Sequence, residues 1–133
     1  LASRYGVAVE DVIAATRRIL EAEPVIAKVW TAAQIETGED EFARLYRNSF
    51  DPERSGDLVV QIAPTCLISP SDEGTTHGTP YLYDRAIPLI FWGAGIEGGR
   101  VAGSARTVDI APTLARRLGI APPSALDGQP LFE

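Results

Sequence analysis

Several residue types are scarce in this sequence, and each scarcity excludes a class of protein. The 133 residues include one cysteine, one histidine and no methionine. One cysteine excludes an intrachain disulfide and any zinc module built from several cysteines. No apolar run approaches the ~20 residues that a membrane-spanning helix needs, so we expect no membrane segment. Because methionine is absent, we expect the chain to begin downstream of a translation start, as a processed product or a fragment.

Basic residues are also in the minority. The 12 Lys and Arg residues stand against 18 Asp and Glu residues, which gives a formal net charge of −6. An acidic chain without a basic stripe disfavours nucleic acids and anionic membranes as partners. Hydrophobic residues make up 45% of the chain, which is enough to form a core. The length then predicts a single domain over residues 1–133, or a fragment of a larger protein.

The spacing of apolar residues predicts helices that alternate with strands. The predicted helices cover 9–22, 39–48 and 110–118, and the predicted strands cover 25–31, 57–63, 87–92 and 100–102. The stretch 64–80 shows neither the helical nor the strand spacing of apolar residues and is rich in turn-forming residues, which is typical of functional or mobile loops. Asp109 is predicted to cap the last helix, with no other role, and Gly119 to end it. The fold class is therefore α/β, a small mixed sheet covered by helices.

The long loop contains the one histidine, His77, between small residues. Small neighbours let the backbone pass close to a ligand and let the imidazole project freely. Imidazole is a frequent zinc ligand, so His77 could bind a metal, and a solvated loop histidine is the structural alternative. The other potential ligands near it in the sequence are Asp72, Glu73, Asp84 and Cys66. A catalytic zinc needs about three protein ligands and a two-metal site needs more, so this chain alone cannot complete a two-zinc site.

Other patterns carry weaker signals. The run 93–98 has the spacing Gly-x-Gly-x-x-Gly, but no helix start follows it, which argues against a dinucleotide site. The absence of Gly-x-Ser-x-Gly argues against a serine hydrolase of that type. The run 54–57, Arg-Ser-Gly-Asp, could hold an anion, although it precedes a strand, and a structural role is the alternative. Asp84 could anchor the loop instead of binding a ligand. Cys66 is predicted to act as a small apolar side chain.

Four segments resemble, in the same order, the C-terminal region of alkaline phosphatase superfamily enzymes. The most specific is 74–93, Gly-Thr-Thr-His-Gly-Thr-Pro-Tyr-Leu-Tyr-Asp-Arg-Ala-Ile-Pro-Leu-Ile-Phe-Trp-Gly. The others are 54–57 before a hydrophobic strand, 107–114 (Thr-Val-Asp-Ile-Ala-Pro-Thr-Leu) and 126–131 (Leu-Asp-Gly-Gln-Pro-Leu). The chain thus resembles the C-terminal part of a bacterial alkaline phosphatase, in the group related to type I phosphodiesterases and nucleotide pyrophosphatases.

This resemblance implies a zinc-dependent hydrolase of phosphate mono- or diesters. In such enzymes two zinc ions flank a threonine or serine nucleophile, and the last zinc-binding histidine lies in the Thr-His-Gly motif, here His77. The nucleophile and the other ligands lie upstream in the family. The resemblance therefore implies that this chain supplies one zinc ligand and core scaffold, and is inactive on its own. It also implies a periplasmic or secreted protein whose partners are the missing N-terminal portion and a phosphate ester.

A second interpretation belongs to another class of protein. A non-catalytic, stand-alone domain could use the same scaffold for binding or assembly. Apolar surface left exposed would then be covered by a partner or by a second copy in a homodimer. The gene sequence upstream of Leu1 distinguishes the two interpretations, because it would encode either a nucleophile with metal ligands or a start codon.

Overall fold

The chain divides into two compact units, which cover residues 1–87 and 88–133. The computed structural model describes residues 2–71 and 73–132. Within this described part, the first unit contains both strands and most of the helices, and the second is built around one α-helix. None of the described helices is long and apolar enough to cross a membrane.

The first unit alternates helices with two strands. Its elements are a 3-10 turn at Ala2–Tyr5, α1 (Val9–Leu20), β1 (Ile26–Thr31), α2 (Ala32–Thr37), α3 (Glu41–Arg47), β2 (Leu58–Ile62) and α4 (Leu82–Arg85). The predicted helices 9–22 and 39–48 and the predicted strands 25–31 and 57–63 are confirmed, with ends shifted by one to two residues. The sequence did not predict α2 and α4, because elements of 6 and 4 residues are too short to show a hydrophobic period.

The two strands form an antiparallel pair. Trp30 on β1 lies opposite Val59 on β2, and the register shifts between Ile26 and Lys28 in a bulge. The predicted α/β class is thus confirmed, and the sheet of the described residues consists of this one antiparallel pair.

Helix α2 follows β1 without a connecting loop because Thr31 serves both elements. The Thr31 hydroxyl accepts a hydrogen bond from the backbone N of Gln34 at 3.3 Å, and Gln34 Oε1 accepts one from the backbone N of Thr31 at 3.1 Å. This reciprocal capping box turns the chain from strand to helix. Gly38 then lets α3 approach α2, since a Cβ at this position would lie 2.4 Å from the carbonyl oxygen of Gln34 and 2.8 Å from the Cβ of Ala43.

The core of the first unit lies between the strand pair and helices α2 and α3. Its fully buried members are Trp30, Ile35 and Ala43. Packed against them are the partly buried Phe42, Tyr46, Phe50 and Val59. Burial, with a smaller contribution from Tyr81, raises the pKa of Tyr46 to about 12. Partial burial of Tyr46 therefore disfavours the charged phenolate form of its side chain.

In the second unit, a 3-10 turn at Thr107–Asp109 leads into α5 (Ile110–Leu118). The predicted helix over 110–118 is confirmed, and Gly119 ends it in the left-handed conformation, with φ of +65°. The Thr113 hydroxyl donates to the carbonyl oxygen of Asp109 at 2.6 Å and accepts from the backbone N of Leu131 at 3.0 Å. The C-terminal segment is thereby attached to the helix.

Asp109 has a role that differs from the predicted one. It stands at the N-cap position, but its side chain does not cap α5. Its two oxygens instead accept hydrogen bonds from the backbone N of Gln129 at 2.9 Å and of Arg106 at 2.8 Å. The carboxylate therefore joins segments before and after the helix. Gly128 permits this approach, because a Cβ there would lie 2.1 Å from the carbonyl oxygen of Val108.

The prediction of strands over 87–92 and 100–102 is wrong for the described structure. Neither segment forms a strand among the described residues, and Trp92 is 96% exposed. A strand exists only where a neighbouring backbone accepts and donates its hydrogen bonds, and β-propensity alone cannot supply that neighbour.

Replacing Gly38 tests the packing of α2 against α3. We expect Gly38→Ala to lower the free energy of unfolding by about 1–3 kcal/mol, because the new methyl group overlaps Gln34 and Ala43. Gly56→Ala is the matched control, since among the described residues a Cβ there meets only the carbonyl oxygen of Leu58, at 3.8 Å. Urea unfolding followed by circular dichroism measures both variants. Equal stability of the two variants would contradict the packing described.

The Asp109 carboxylate should make stability depend on pH. Its hydrogen bonds from the backbone of Gln129 and then of Arg106 hold the pKa of Asp109 below its usual range. Ionised Asp109 therefore stabilises the fold above its unfolded-state pKa of about 3.9, and this contribution is lost as the pH falls through the lower folded-state value.

We therefore expect the unfolding free energy of the unsubstituted protein to exceed that of Asp109→Asn by a constant amount above about pH 5, and by less at lower pH. Glu97→Gln, a carboxylate-to-amide change at an exposed residue of the same unit, provides the control. A difference between the protein and Asp109→Asn that stays the same from pH 7 to pH 3 would contradict this role.

Candidate functional site

His77 lies on the loop between β2 and α4, in a segment whose conformation depends on glycine. Gly74 and Gly78 have φ of +101° and +116°, a region that residues with side chains rarely adopt. Among the described residues, no atom would come within 4 Å of a Cβ at either glycine. The two glycines thus serve the backbone conformation rather than close packing. The side chain of His77 is exposed, so its ring nitrogens are accessible to a ligand.

The carboxylate of Asp84 fixes the backbone two residues after His77. Its Oδ2 accepts hydrogen bonds from Thr79 Oγ1 at 2.6 Å and from the backbone N of Thr79 at 2.9 Å. The hydroxyl of Thr79, followed by its backbone N, holds the pKa of Asp84 below its usual range. The structure thus gives Asp84 the anchoring role that the sequence allowed. We call this pair of hydrogen bonds the Asp84–Thr79 clamp.

Two tyrosines attach the start of α4 to the end of β2. Tyr81 Oη donates to the carbonyl oxygen of Ile62 at 2.8 Å and accepts from Gln61 Nε2 at 3.1 Å. Tyr83 Oη accepts from the backbone N of Thr65 at 3.0 Å. The two rings stack, with centroids 5.7 Å apart and planes inclined by 22°. The segment that follows His77 is therefore held on the strand by side-chain hydrogen bonds as well as by the covalent chain.

Arg85 fixes the other side of α4. Its Nε donates to the carbonyl oxygen of the buried Pro80 at 2.7 Å, and its guanidinium forms an ion pair with Glu41 on α3. The loop is thus anchored over residues 79–85, while His77 itself remains accessible.

The other ligand candidates from the sequence have different positions. Asp72 lies outside the described residues. Glu73 is exposed, Cys66 is half-buried just after β2, and Asp84 belongs to the Asp84–Thr79 clamp. Across 2–71 and 73–132, no group of three or more His, Cys, Asp or Glu side chains is placed to hold a metal ion.

The run 54–57 connects α3 to β2 through hydrogen bonds within the chain. Ser55 Oγ accepts from the backbone N of Asp51 at 3.0 Å. The carbonyl oxygen of Asp57 accepts from the backbone N of Ala32 at 3.3 Å. These contacts support the structural interpretation of this run.

The glycine-rich run 93–98 forms a turn. Gly95 has φ of +72°, and its carbonyl oxygen accepts a hydrogen bond from Arg117 at 2.8 Å. The next regular element along the described chain is the 3-10 turn at Thr107–Asp109, so the helix that a dinucleotide site needs does not follow.

Sequence reasoning missed the role of Gln61. This residue is 4% exposed and is the next-to-last residue of β2, and its Oε1 accepts a hydrogen bond from Trp30 Nε1 at 2.9 Å. The available signal was one amide in the apolar run Leu-Val-Val-Gln-Ile. A buried amide needs partners on both its oxygen and its nitrogen, so a polar residue in such a run indicates a buried hydrogen-bond network.

Several known proteins are similar to this chain in sequence. The chain is 36% identical over 120 residues to the alkaline phosphatase PhoD of Zymomonas mobilis, with 83% of this chain and 21% of that protein covered. It is 33% identical over 125 residues to the alkaline phosphatase PhoK of a Sphingomonas species, with 84% and 22% covered. A third relative, from Myroides odoratus, is called a calcium-transporting ATPase and is 32% identical over 129 residues, with 93% and 23% covered.

A solved structure shows the same fold. The crystal structure of the alkaline phosphatase PafA superimposes with a TM-score of 0.82 and 32% sequence identity, over 98% of this chain and 25% of PafA. No protein-family model matches the chain. The chain spans about a fifth of the length of the curated relatives described, 21–23%. By sequence and by fold, it belongs to the alkaline phosphatase superfamily and corresponds to the C-terminal part of such an enzyme.

Proposed function

We propose that the chain is part of a zinc-dependent hydrolase of phosphate mono- or diesters, to which it contributes His77 as one zinc ligand. The observation that carries this proposal is the accessible imidazole of His77 beside the Asp84–Thr79 clamp. It occurs in a chain that is 36% identical to one alkaline phosphatase and shares its fold with another. Restricting a ligand before the metal arrives reduces the entropy lost on binding.

The donor chemistry of this loop suits zinc. Neutral imidazole binds Zn²⁺ through one ring nitrogen at about 2.0–2.1 Å. The small neighbours of His77 leave room for an ion, and the clamp limits how far its backbone can move. When bound, zinc would stabilise negative charge on the oxygens of a phosphate ester. The task of this chain's residues is to hold one nitrogen in place, and the remaining ligands and the nucleophile belong to other parts of the enzyme.

Exposed apolar side chains of the second unit support the view that the chain functions within a larger protein. Ile90 is 80% exposed, Trp92 96% and Val101 80%. Large exposed apolar groups mark surfaces that another protein segment covers. Since the curated relatives are four to five times as long as the part matched, we infer that the rest of the enzyme covers these side chains. On this view the chain alone has no turnover, and the enzyme works in the periplasm or outside the cell.

Removing the imidazole tests the proposal. In the full-length enzyme, we expect His77→Ala to bind about one zinc ion fewer than the unsubstituted enzyme and to lose at least about a hundredfold in kcat/KM, because a metal site lacking one ligand binds weakly. Elemental analysis measures the zinc content, and hydrolysis of p-nitrophenyl phosphate and bis-p-nitrophenyl phosphate measures activity on a monoester and a diester.

Glu73→Gln is the matched control, because it changes another polar side chain of the same exposed loop. Full zinc content and full activity in His77→Ala would show that His77 is not a ligand. A start codon directly before Leu1 would instead favour the stand-alone binding domain.

A further inference from the structure

The buried amide of Gln61 connects the core of the first unit to the loop that carries His77. Trp30 Nε1 donates to Gln61 Oε1 at 2.9 Å, and Gln61 Nε2 donates to Tyr81 Oη at 3.1 Å. Tyr81 Oη then donates to the carbonyl oxygen of Ile62 at 2.8 Å. We call this series the Gln61 bridge. The bridge begins at Trp30, whose side chain is 2% exposed, and includes Tyr81, which lies four residues after His77.

The hydrogen bonds of the Gln61 bridge add little to the stability of the fold, although the bridge buries several polar groups. An intramolecular hydrogen bond stabilises a fold by only about 0.5–1.5 kcal/mol after the loss of its bonds to water. An apolar residue at position 61 would suit the apolar run of β2 without any desolvation of an amide. The amide instead determines how its partners are oriented, because a buried network in which every polar group is hydrogen-bonded allows one arrangement of its members.

The position fixed by the bridge is the start of α4. Tyr81 is the N-cap residue of α4, and its ring also packs edge-on against Phe42, with centroids 5.6 Å apart. Asp84 lies in the first turn of the same helix and holds Thr79 through the Asp84–Thr79 clamp. The placement of Thr79, and with it of His77, therefore depends on where Tyr81 holds α4.

We propose that Gln61 and Tyr81 are positioning residues for the metal ligand His77, acting through α4 and the Asp84–Thr79 clamp. This inference rests on the proposed function. Loss of the bridge leaves His77 and the fold present but lets the imidazole move. The free energy of zinc binding then includes the cost of restricting the loop, so affinity falls while the chemistry at saturating zinc is unchanged.

The test removes one oxygen atom from the full-length enzyme. In Tyr81→Phe, we expect zinc affinity, measured by competition with a fluorescent chelator, to fall roughly tenfold. Activity should be lower at limiting free zinc and recover at saturating zinc, with kcat close to that of the unsubstituted enzyme. Tyr46→Phe is the matched control, because it makes the same change at a partly buried tyrosine of the first unit that is not a member of the bridge. It should leave zinc affinity unchanged.

Gln61→Met provides a second route to the same result. It replaces the amide by an apolar side chain of similar length, and we expect a similar loss of zinc affinity. Because both changes break one network, Gln61→Met combined with Tyr81→Phe should weaken zinc binding no more than the stronger single change. Additive losses would contradict a shared bridge. If Tyr81→Phe does not fold, Gln61→Met alone decides, and failure of both to fold would show that the bridge serves stability instead.

Unchanged zinc affinity in Tyr81→Phe, or an activity loss that saturating zinc does not restore, would overturn the proposal. His77→Ala measured in parallel separates the two claims. If His77→Ala keeps its zinc, the proposed function fails whatever Tyr81→Phe shows. If His77→Ala loses zinc while Tyr81→Phe binds it normally, only the positioning role fails.

Discussion

The hydroxyl group of Tyr81 is the point where the core of the first unit meets its exposed loop. It accepts a hydrogen bond from Gln61 and donates one to the carbonyl oxygen of Ile62, so both of its hydrogen-bonding roles are used by β2. Helix α4 begins at this contact, and Asp84 of that helix holds Thr79. A histidine with an accessible side chain can therefore sit on glycine-rich backbone and still have a defined position.

Both units use the same physical device, a carboxylate that accepts hydrogen bonds from its own chain. Asp84 accepts two from Thr79, and Asp109 accepts one from each of two segments that flank α5. In both cases the hydrogen bonds favour the charged form and lower the pKa. The two carboxylates thus hold backbone that itself lies outside the strands and helices, and in the first unit the backbone held is two residues from His77.

The sequence predicted the longer elements because their signals are local. The apolar stripe of α1, the acidic start of α3 and the glycine that ends α5 are all visible in the sequence alone. The amide in the apolar run of β2 indicates that a network exists, but its partners were not predictable, because Trp30 and Gln61 are 31 residues apart and meet only when the strands pair. The strand prediction for 87–92 failed for a related reason, since its apolar composition says nothing about which backbone pairs with it. The hypothesis that His77 binds a metal rests on its family motif, because its sequence neighbourhood alone leaves open that it is a solvated loop histidine.

We propose above all that His77 binds zinc in the complete enzyme. Diffraction from crystals of the full-length protein, recorded on both sides of the zinc absorption edge, tests it most directly. If His77 is a zinc ligand, we expect an anomalous peak about 2.0–2.1 Å from one of its ring nitrogens. A fully occupied zinc site in which the His77 imidazole binds no metal would contradict it.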